Sequence, residues 1–227
     1  GGLQRSVALY STAETRVATV KVTGGLADLP RRPGGPTTGT LEVDLLVEGP
    51  GCTEPGWTVG VRLETLRGRE LASGADLEVP HWDDSELFLQ LAGSMFTESG
   101  RVRTCLEVPD ITPWSAEDPE LYRVVVSLFD PTGAGVEVGA LRVGFRTVKV
   151  ADRQLLINGA PVVLRGVNLH EHDPRRGRAV DREHTRRDLV MIKGANLNAV
   201  RGAHYPHAEH FAELCDELGL YVVDEAN

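Results

Sequence analysis

The chain has 227 residues, of which 41% are hydrophobic and 25% charged, and its formal net charge is −9. This length suits one large or two small domains, and the composition is that of an ordinary globular protein. An acidic chain lacks the basic surface on which nucleic-acid binding depends, which argues against a nucleic-acid partner. No stretch approaches the roughly 20 apolar residues of a membrane span, which argues against a membrane partner.

The cysteines and the first residues bear on the cellular compartment. Cys52, Cys105 and Cys215 form no CxxC pair, and their number is odd. This pattern predicts buried free thiols and a reducing environment. The opening residues, GGLQRSVALY, contain no basic segment followed by an apolar block, so they do not resemble a signal peptide. These features predict a cytoplasmic protein.

Residues 13–148 have the patterning of β-strands. In seven segments, apolar and polar side chains alternate or Val and Leu dominate, and turn-forming clusters separate the segments. The segments are ETRVATVKV, GTLEVDLLVEG, WTVGVRLETL, ELFLQLAG, GRVRTCLEV, LYRVVVSLFD and VEVGALRVGF. About seven short strands without helical periodicity predict an antiparallel β-sandwich of the immunoglobulin type.

The patterning changes after Val150. Two apolar runs are joined there by Asn158-Gly159, a pair that suits a type I′ turn because both positions need a positive φ. The sequence therefore predicts a β-hairpin, with a second arm that continues through residues 162–168.

Two helices are predicted after the hairpin. Asp181 is a suitable N-cap for the first, and Gly194 is placed to end it. Pro206 suits the start of the second helix, and Gly219 its end.

Short strands flank these helices. With NAVRGAH and LYVVDEAN as strands, the order is strand, helix, strand, helix, strand, which predicts parallel βα units. Three parallel strands are only the first part of a (β/α)8 TIM barrel, which suggests a truncated domain. Because an open parallel sheet leaves an edge bare, we expect the sandwich to fold alone and the following segment to be unstable, aggregation-prone or completed by another chain.

Polar side chains gather where each parallel strand ends. The carboxyl ends of parallel strands share one face, on which βα barrels build their active sites, so these residues predict a binding or catalytic site. They are Asn168, His170, Glu171, His172 and Asp173 after the first strand, Arg201, His204, Tyr205 and His207 after the second, and Asp224, Glu225 and Asn227 after the third.

Structural roles are open for several of these residues. In this alternative, His170 is an ordinary histidine of the loop, and the side chains of His172 and Asp173 form hydrogen bonds to the loop backbone. In the same way, His207 and His210 are expected on the exposed face of a helix.

The charged residues at the strand ends also have alternatives. Arg201 needs a carboxylate partner, which a structural salt bridge inside the barrel would provide. Asp224 and Glu225 lie on opposite faces of their strand, so either suits pairing with a neighbouring cation. In a third interpretation, His170 and His172 point the same way and begin the zinc site of a metal-dependent barrel hydrolase, whose further ligands would come from later strands.

Two long segments resemble the barrel entry of glycoside hydrolase family 2. They are LLINGAPVVLRGVNLHEHDPRRGRAVD and NAVRGAHYPHAEHFAELCDELGLYVVDEAN. WSAEDPELYRVVV and VGFRTVKV resemble the last strands of the family's immunoglobulin-like domain, and GGLQRSVAL resembles the segment that leaves its jelly-roll domain. The resemblance implies a jelly-roll tail at 1–12, an immunoglobulin-like β-sandwich at 13–148 and the N-terminal part of the TIM-barrel catalytic domain at 149–227.

The resemblance also implies a reaction. HEHDP and DEAN favour the β-galactosidase branch over the β-glucuronidase branch, which implies retaining hydrolysis of terminal β-D-galactosides. That mechanism uses two glutamates about 5 Å apart. The family places them on later barrel strands, in Asn-Glu and Glu-Tyr contexts that this chain lacks, so we expect the chain alone to be inactive. The non-catalytic alternative is a scaffold module that contacts sugar weakly.

Supporting residues can be carried over from the family. His170 matches a histidine near the galactosyl pocket, His204 one that binds sugar hydroxyls, and Arg201 an arginine that contacts the nucleophilic glutamate. Asp224 lies beside the site. The resemblance implies no cofactor in this chain itself, but magnesium ligands just past Asn227, a sodium ligand in the jelly-roll domain, a β-galactoside substrate and a homo-oligomeric parent protein.

Overall fold

A computed structural model describes residues 5–32, 34–81 and 99–226. Within these residues, antiparallel strands form two facing sheets, and the chain after them forms a hairpin sheet and a small parallel sheet with two helices. The predicted strand ELFLQLAG, at 86–93, lies outside the described residues.

The sandwich combines a three-stranded sheet, in the order β1-β2-β5, with a four-stranded sheet, in the order β4-β3-β6-β7. All neighbouring strands in both sheets are antiparallel. The strands are β1 Arg16–Leu26, β2 Thr37–Glu48, β3 Thr58–Thr65, β4 Glu70–Glu78, β5 Arg101–Ile111, β6 Tyr122–Phe129 and β7 Gly135–Val143, and a 3-10 turn, Pro50–Thr53, follows β2.

Alternation along the strands builds the core between the two sheets. In β2, every second side chain from Leu41 to Val47 is buried, and in β3 Val59, Val61 and Leu63 are buried, because one face of each strand looks inward. At the start of β6, the Tyr122 hydroxyl accepts a hydrogen bond from the backbone N–H of Thr112 at 2.8 Å. A tyrosine that ties an incoming strand to upstream backbone in this way is typical of immunoglobulin-type sandwiches.

A three-stranded hairpin sheet follows, formed by β8 Val148–Ala151, β9 Gln154–Ile157 and β10 Ala160–Pro161. Asn158 and Gly159 have φ values of 51° and 79°, as the predicted type I′ turn requires. The second arm is shorter than predicted. It ends at Pro161, and the chain then crosses to a different sheet.

The last part of the chain alternates parallel strands and helices, as predicted. Strands β11, β12 and β13 pair in that order and are parallel. The elements are β11 Gly166–Leu169, α1 Arg182–Gly194, β12 Ala199–Gly202, α2 Glu209–Leu218 and β13 Tyr221–Val223. These strands and helices pack against one another through a second apolar cluster, formed by Leu189, Val200, Phe211, Leu214, Cys215 and Leu220.

The first helix begins as predicted but ends later. The Asp181 carboxylate accepts the backbone N–H of His184 at 2.9 Å, which confirms the N-cap. Gly194 is the last residue inside α1 and is not the stop. Asn196 has the left-handed φ of 60° that follows the cap, because asparagine tolerates this conformation.

The second helix differs at its start. Pro206 was predicted at the first helical position, but α2 begins at Glu209 and its N-cap is Ala208, which has no side-chain acceptor. Residues 206–208 instead belong to the loop that connects β12 to α2. Gly219, with a φ of 72°, closes the helix as predicted.

The cysteines differ in burial. All three are free; Cys215 is buried, Cys52 is half-buried and Cys105 is exposed, so the prediction of three buried thiols is wrong for Cys105. Cys105 lies on a strand whose outer face looks to solvent. Burial raises the pKa of the Cys215 thiol to about 12, which leaves it unreactive. None of the described helices is long and apolar enough to cross a bilayer.

Trp114 lies at the interface between the sandwich and the parallel sheet and contacts both. Its side chain is 1% exposed, and its indole N–H donates to the Asp216 carbonyl at 2.9 Å. Its ring meets Tyr221 edge to face, with ring centroids 5.6 Å apart. Lys193 adds hydrogen bonds from its ammonium group to the carbonyls of Ala116 at 2.6 Å and Gly219 at 2.8 Å.

Ion pairs extend this interface. Arg142 of β7 pairs with Glu217 of α2 at 2.6 Å, and Arg182 of α1 pairs with Glu213 at 2.6 Å and with Glu217 at 3.0 Å. The sandwich therefore holds both helices, which fixes the orientation of the parallel strands on which the polar residues lie.

The Asp216 carboxyl, at the same interface, gives a prediction of pH dependence. Burial raises its pKa, and Arg146 and Arg142 only partly oppose this effect. A raised carboxyl pKa means that folding favours the protonated form, so stability falls as pH rises from the ordinary aspartate pKa through the raised one. We expect Asp216→Asn to be more stable than the native chain at neutral pH and equally stable at acid pH, measured by urea unfolding.

The matched control is Glu78→Gln, which removes an exposed carboxylate at the end of β4. It should change stability little at either pH. An Asp216→Asn variant that is less stable than the native chain at neutral pH would contradict the prediction.

Candidate functional site

The three parallel strands end on one face, as the sequence predicts. In the register of the sheet, Asn168 of β11 lies beside Arg201 of β12, which in turn lies beside Val223 of β13. The loops that follow the three strands therefore start next to one another, and their polar residues meet.

Arg201 is the centre of the polar cluster. Its guanidinium forms an ion pair with Glu225 at 2.5 Å, donates to the Asn168 side-chain oxygen at 3.3 Å and lies 3.4 Å from Nδ1 of His204. One cation thus joins groups from all three strand ends. The carboxylate partner that Arg201 was expected to need is Glu225.

His170 and His204 lie side by side at the open edge of this cluster. Their rings meet edge to face with centroids 5.2 Å apart, and both side chains are exposed. His204 Nδ1 also lies 3.5 Å from Glu225, and the peptide bond before His204 is cis. Two imidazoles therefore face solvent beside the Arg201 ion pair.

Asp224 stands apart from the residues with which it was grouped. Its carboxylate accepts the backbone N–H of Glu225 at 2.9 Å, and its side chain is exposed. Both acids follow Val223, the last residue of β13, and Glu225 is the one that pairs with Arg201. The sequence could narrow the partner to these two neighbours but could not choose between them.

Asp173 and His172 follow the structural alternative only in part. Asp173 accepts the backbone N–H groups of Arg175 and Arg176, each at 2.8 Å, and these hydrogen bonds lower the pKa of its carboxyl. It also lies 3.3 Å from His184 of α1. His172 is exposed, and within the described part of the chain no contact joins it to the Arg201 cluster.

His207 and His210 are not on an exposed helix face, so that interpretation is wrong. His207 precedes α2. Its ring stacks on Tyr205 and lies tilted against Phe211, and burial lowers the pKa of its imidazole. His210 lies in α2, where its Nε2 is 3.2 Å from the hydroxyl of Thr185 in α1.

The burial of Glu171 is the feature of the site that the sequence predicts least well. It lies between two exposed histidines, yet it is buried. Its carboxylate accepts the backbone N–H of Ala208 at 3.0 Å and pairs with Arg5 at 2.6 Å, and its own N–H donates to the Tyr205 hydroxyl at 3.1 Å. The one local signal is that Ala208, the N-cap of α2, has no side-chain oxygen, and the Glu171 carboxylate accepts its backbone N–H.

Two features of the described residues, metal-binding groups and cavities, bear on the choice of the candidate site. In the described ranges, no three His, Cys, Asp or Glu side chains are grouped so as to hold a metal ion. A cavity of about 1040 Å³ lies at the opposite ends of the strands, lined by Arg165, Asn198 and Tyr221 among others. Since barrel enzymes place their chemistry at the carboxyl ends of the strands, the Arg201 cluster remains the candidate site.

The chemistry of the cluster suits a ligand rich in hydroxyl groups. A guanidinium, an amide and two imidazoles offer donors and acceptors toward one open face, and the fixed strand ends hold them in place. A glycosidic bond, however, is cleaved by a pair of carboxyl groups. Glu225 is already paired with Arg201, so the cluster is suited to binding and orienting a sugar.

Family-wide sequence profiles match most of the chain. Residues 37–146 match the profile described as "Glycosyl hydrolases family 2", and residues 148–227 match "Glycosyl hydrolases family 2, TIM barrel domain". The two matches meet at the junction between the sandwich and the hairpin sheet.

Curated relatives are β-galactosidases. The chain is 39% identical to the enzyme of Klebsiella pneumoniae over 228 residues, which is 100% of this chain and 20% of that protein. It is 52% identical to the enzyme of Photobacterium profundum over 122 residues, which is 54% of this chain and 12% of that protein. The chain thus spans a fifth or less of these relatives.

Solved structures with the same fold include β-glucuronidases. The Bifidobacterium dentium enzyme, complexed with coumarin-3-O-glucuronide, has a TM-score of 0.77 at 24% identity and covers 94% of this chain and 31% of its own. The Ruminococcus gnavus enzyme, in complex with D-glucaro-d-lactam, has a TM-score of 0.71 at 25% identity and covers 94% of this chain and 30% of its own.

These matches confirm the predicted architecture, an immunoglobulin-like sandwich followed by the first βα units of a TIM barrel. The profiles and the relatives agree on the family across both parts. The chain belongs to glycosyl hydrolases family 2.

Proposed function

We propose that this chain is a segment of a retaining β-galactosidase and supplies the part of the active site that binds and orients the galactosyl group. The observation that carries the proposal is the cluster in which Arg201 joins Asn168, His204 and Glu225 at the carboxyl ends of three barrel strands. The identity to curated β-galactosidases supports the choice of sugar.

In this proposal, His170 and His204 contact sugar hydroxyls from the open edge of the cluster. Arg201 faces the position where the nucleophilic carboxylate of the complete site would lie, and a cation there favours the ionised form that attacks the anomeric carbon. The two catalytic glutamates come from later strands of the barrel, so the chain alone is expected to have no glycosidase activity. Asp224 is assigned only a place beside the site.

The proposal extends to properties of the longer protein. Magnesium and sodium would be held by residues outside this chain, and the parent would be a cytoplasmic homo-oligomer that acts on β-galactosides. None of the steps assigned to the residues above depends on either metal ion.

A β-glucuronidase is the second candidate, and the solved structures of similar fold favour it. Those structures are 24% and 25% identical to this chain, whereas the β-galactosidases of Photobacterium profundum and Pseudoalteromonas haloplanktis are 52% and 55% identical over about half of it. The sequence likeness is thus closer to enzymes that are named for galactosides.

A chimera tests the proposal. This chain would replace the segment of the Klebsiella pneumoniae β-galactosidase to which it aligns over its full length. We expect the chimera to hydrolyse o-nitrophenyl β-D-galactoside much faster than the β-D-glucuronide. His204→Ala in the chimera should lower kcat/KM by at least about tenfold, because hydrogen bonds to sugar hydroxyls strengthen in the transition state.

Two controls accompany the chimera. The 227-residue chain should be inactive alone, and Arg186→Ala, an exposed position on α1, should leave the chimera's activity unchanged. Faster hydrolysis of the glucuronide, or full activity of the His204→Ala chimera, would overturn the proposal.

A further inference from the structure

The loop that carries His204 ends where helix α2 begins, and the helix does not cap itself. Its N-cap residue, Ala208, has no side-chain oxygen to accept the free N–H groups of the first turn. The Glu171 carboxylate accepts the backbone N–H of Ala208 itself, at 3.0 Å. Glu171 therefore fixes the end of the His204 loop from a different strand end.

The same carboxylate depends on a residue far away in the chain. The Glu171 side chain is only 3% exposed, and its second oxygen pairs with the Arg5 guanidinium at 2.6 Å. A buried carboxylate that loses its cationic partner is strongly destabilised. Arg5 belongs to the segment before the sandwich, so this segment reaches across to the barrel.

Arg5 also holds the loop directly. Its guanidinium donates to the Pro206 carbonyl at 3.1 Å, two residues after His204. A single guanidinium thus binds both the loop backbone and the carboxylate that accepts the Ala208 N–H, which fixes their separation.

The opposite side of the loop is held by stacking. The Arg178 guanidinium lies 4.0 Å from the Tyr205 ring centroid, and Tyr205 in turn stacks on His207 with centroids 5.5 Å apart. The Tyr205 hydroxyl accepts the backbone N–H of Glu171 at 3.1 Å. The loop is therefore fixed at several points, while the His204 side chain extends into solvent and is 64% exposed.

From these contacts we infer that Arg5 and Glu171 are positioning residues for His204: they hold the 204–208 loop so that its imidazole meets the sugar. This inference rests on the proposed sugar contact of His204. It assigns a role in the site to the segment that precedes the sandwich. Neither residue touches the sugar, and each acts through the loop backbone.

Nuclear magnetic resonance of the full 227-residue chain, with isotope-labelled histidine, tests the inference. The His204 ring signals are assigned by their loss in His204→Gln, and methyl β-D-galactoside is the probe. Arg5→Met removes the charge and keeps an apolar stem, whereas Glu171→Gln keeps an acceptor for Ala208 and loses the ion pair. We expect both variants to shift the His204 signals and to reduce the response of these signals to the galactoside.

Three comparisons make the result specific. The double variant should resemble each single variant, because both remove one shared contact. Arg5→Lys should recover part of the native signal, since lysine keeps the charge but not the two-pronged geometry. Arg186→Met, on the exposed side of α1, should change none of the His204 signals.

A lower melting temperature with unchanged His204 signals would overturn the inference, because Arg5 and Glu171 would then be structural only. The proposed function fails separately. If His204 in the native chain does not respond to the galactoside, while the variants still shift its signals, the sugar contact is wrong and the positioning of His204 is supported.

Discussion

Trp114→Ala is expected to lower the free energy of unfolding by about 3–5 kcal/mol, the usual cost of removing a buried aromatic side chain. The indole is 1% exposed and contacts both parts of the chain. Its loss removes the hydrogen bond to the Asp216 carbonyl and the edge-to-face contact with Tyr221. It also removes the ring that the Arg146 guanidinium faces at 5.1 Å.

The loss of stability should be larger for the parallel sheet and its helices than for the sandwich. The core of the sandwich lies between its own sheets and does not include Trp114, whereas the parallel strands depend on the interface for their anchoring. We therefore expect trypsin to cut the segment after residue 150 before it cuts the sandwich. Urea unfolding gives the change in stability, and mass analysis of the fragments shows where the cuts occur.

Trp114→Phe is the matched variant. It keeps an aromatic ring against Tyr221 and loses only the indole N–H and some volume, so it should be clearly more stable than Trp114→Ala. A change of less than about 1 kcal/mol for Trp114→Ala would be ordinary for a surface position and would contradict the role assigned to the interface.

The strands of the sandwich show which signals a sequence carries. β2 and β3 alternate large apolar and polar residues, since one face is buried, and both were predicted. β4, Glu70–Glu78, was not predicted, because it is an edge strand of small residues. Its pairing with β3 shifts register twice, and Asp76 has a φ of 53°, so the period of two is interrupted.

Turns and helix ends could be predicted where a single residue determines the local backbone conformation. Asn158-Gly159 marked its turn, whereas Asp152-Arg153, with φ values of 49° and 63°, forms a second tight turn without any glycine to reveal it. Pro206 suits a helix start by its chemistry. The helix begins later because the preceding residues are held in the loop by Arg5 and Glu171, which are distant in sequence.

The site was predictable as a location but not as a set of contacts. The parallel strand order places Asn168 beside Arg201 and Arg201 beside Val223, so the segment that carries Asp224 and Glu225 starts next to both. The choice of Glu225 over Asp224 depends on how the chain turns as it leaves the strand. The burial of Glu171 depends on Arg5, and no local pattern connects residues so far apart.

Arg201→Ala in the chimera is expected to lower kcat/KM for o-nitrophenyl β-D-galactoside by about 100-fold, the usual loss when a group that stabilises transition-state charge is removed. Arg201→Lys keeps the charge but not the planar fork that contacts both Glu225 and Asn168, so its loss should be smaller. Steady-state kinetics at several substrate concentrations measures both.

A double variant separates the two roles that Arg201 can have. If Arg201 only neutralises Glu225, then removing both charges in Arg201→Ala/Glu225→Gln should restore most of the activity, because no unpaired carboxylate is left beside His204. If Arg201 instead acts on the reacting carboxylate of the complete site, the double variant should stay as slow as Arg201→Ala. We expect the second result, since the resemblance to family 2 assigns Arg201 to the nucleophile, and recovery to near-native activity would reduce Arg201 to a structural ion pair.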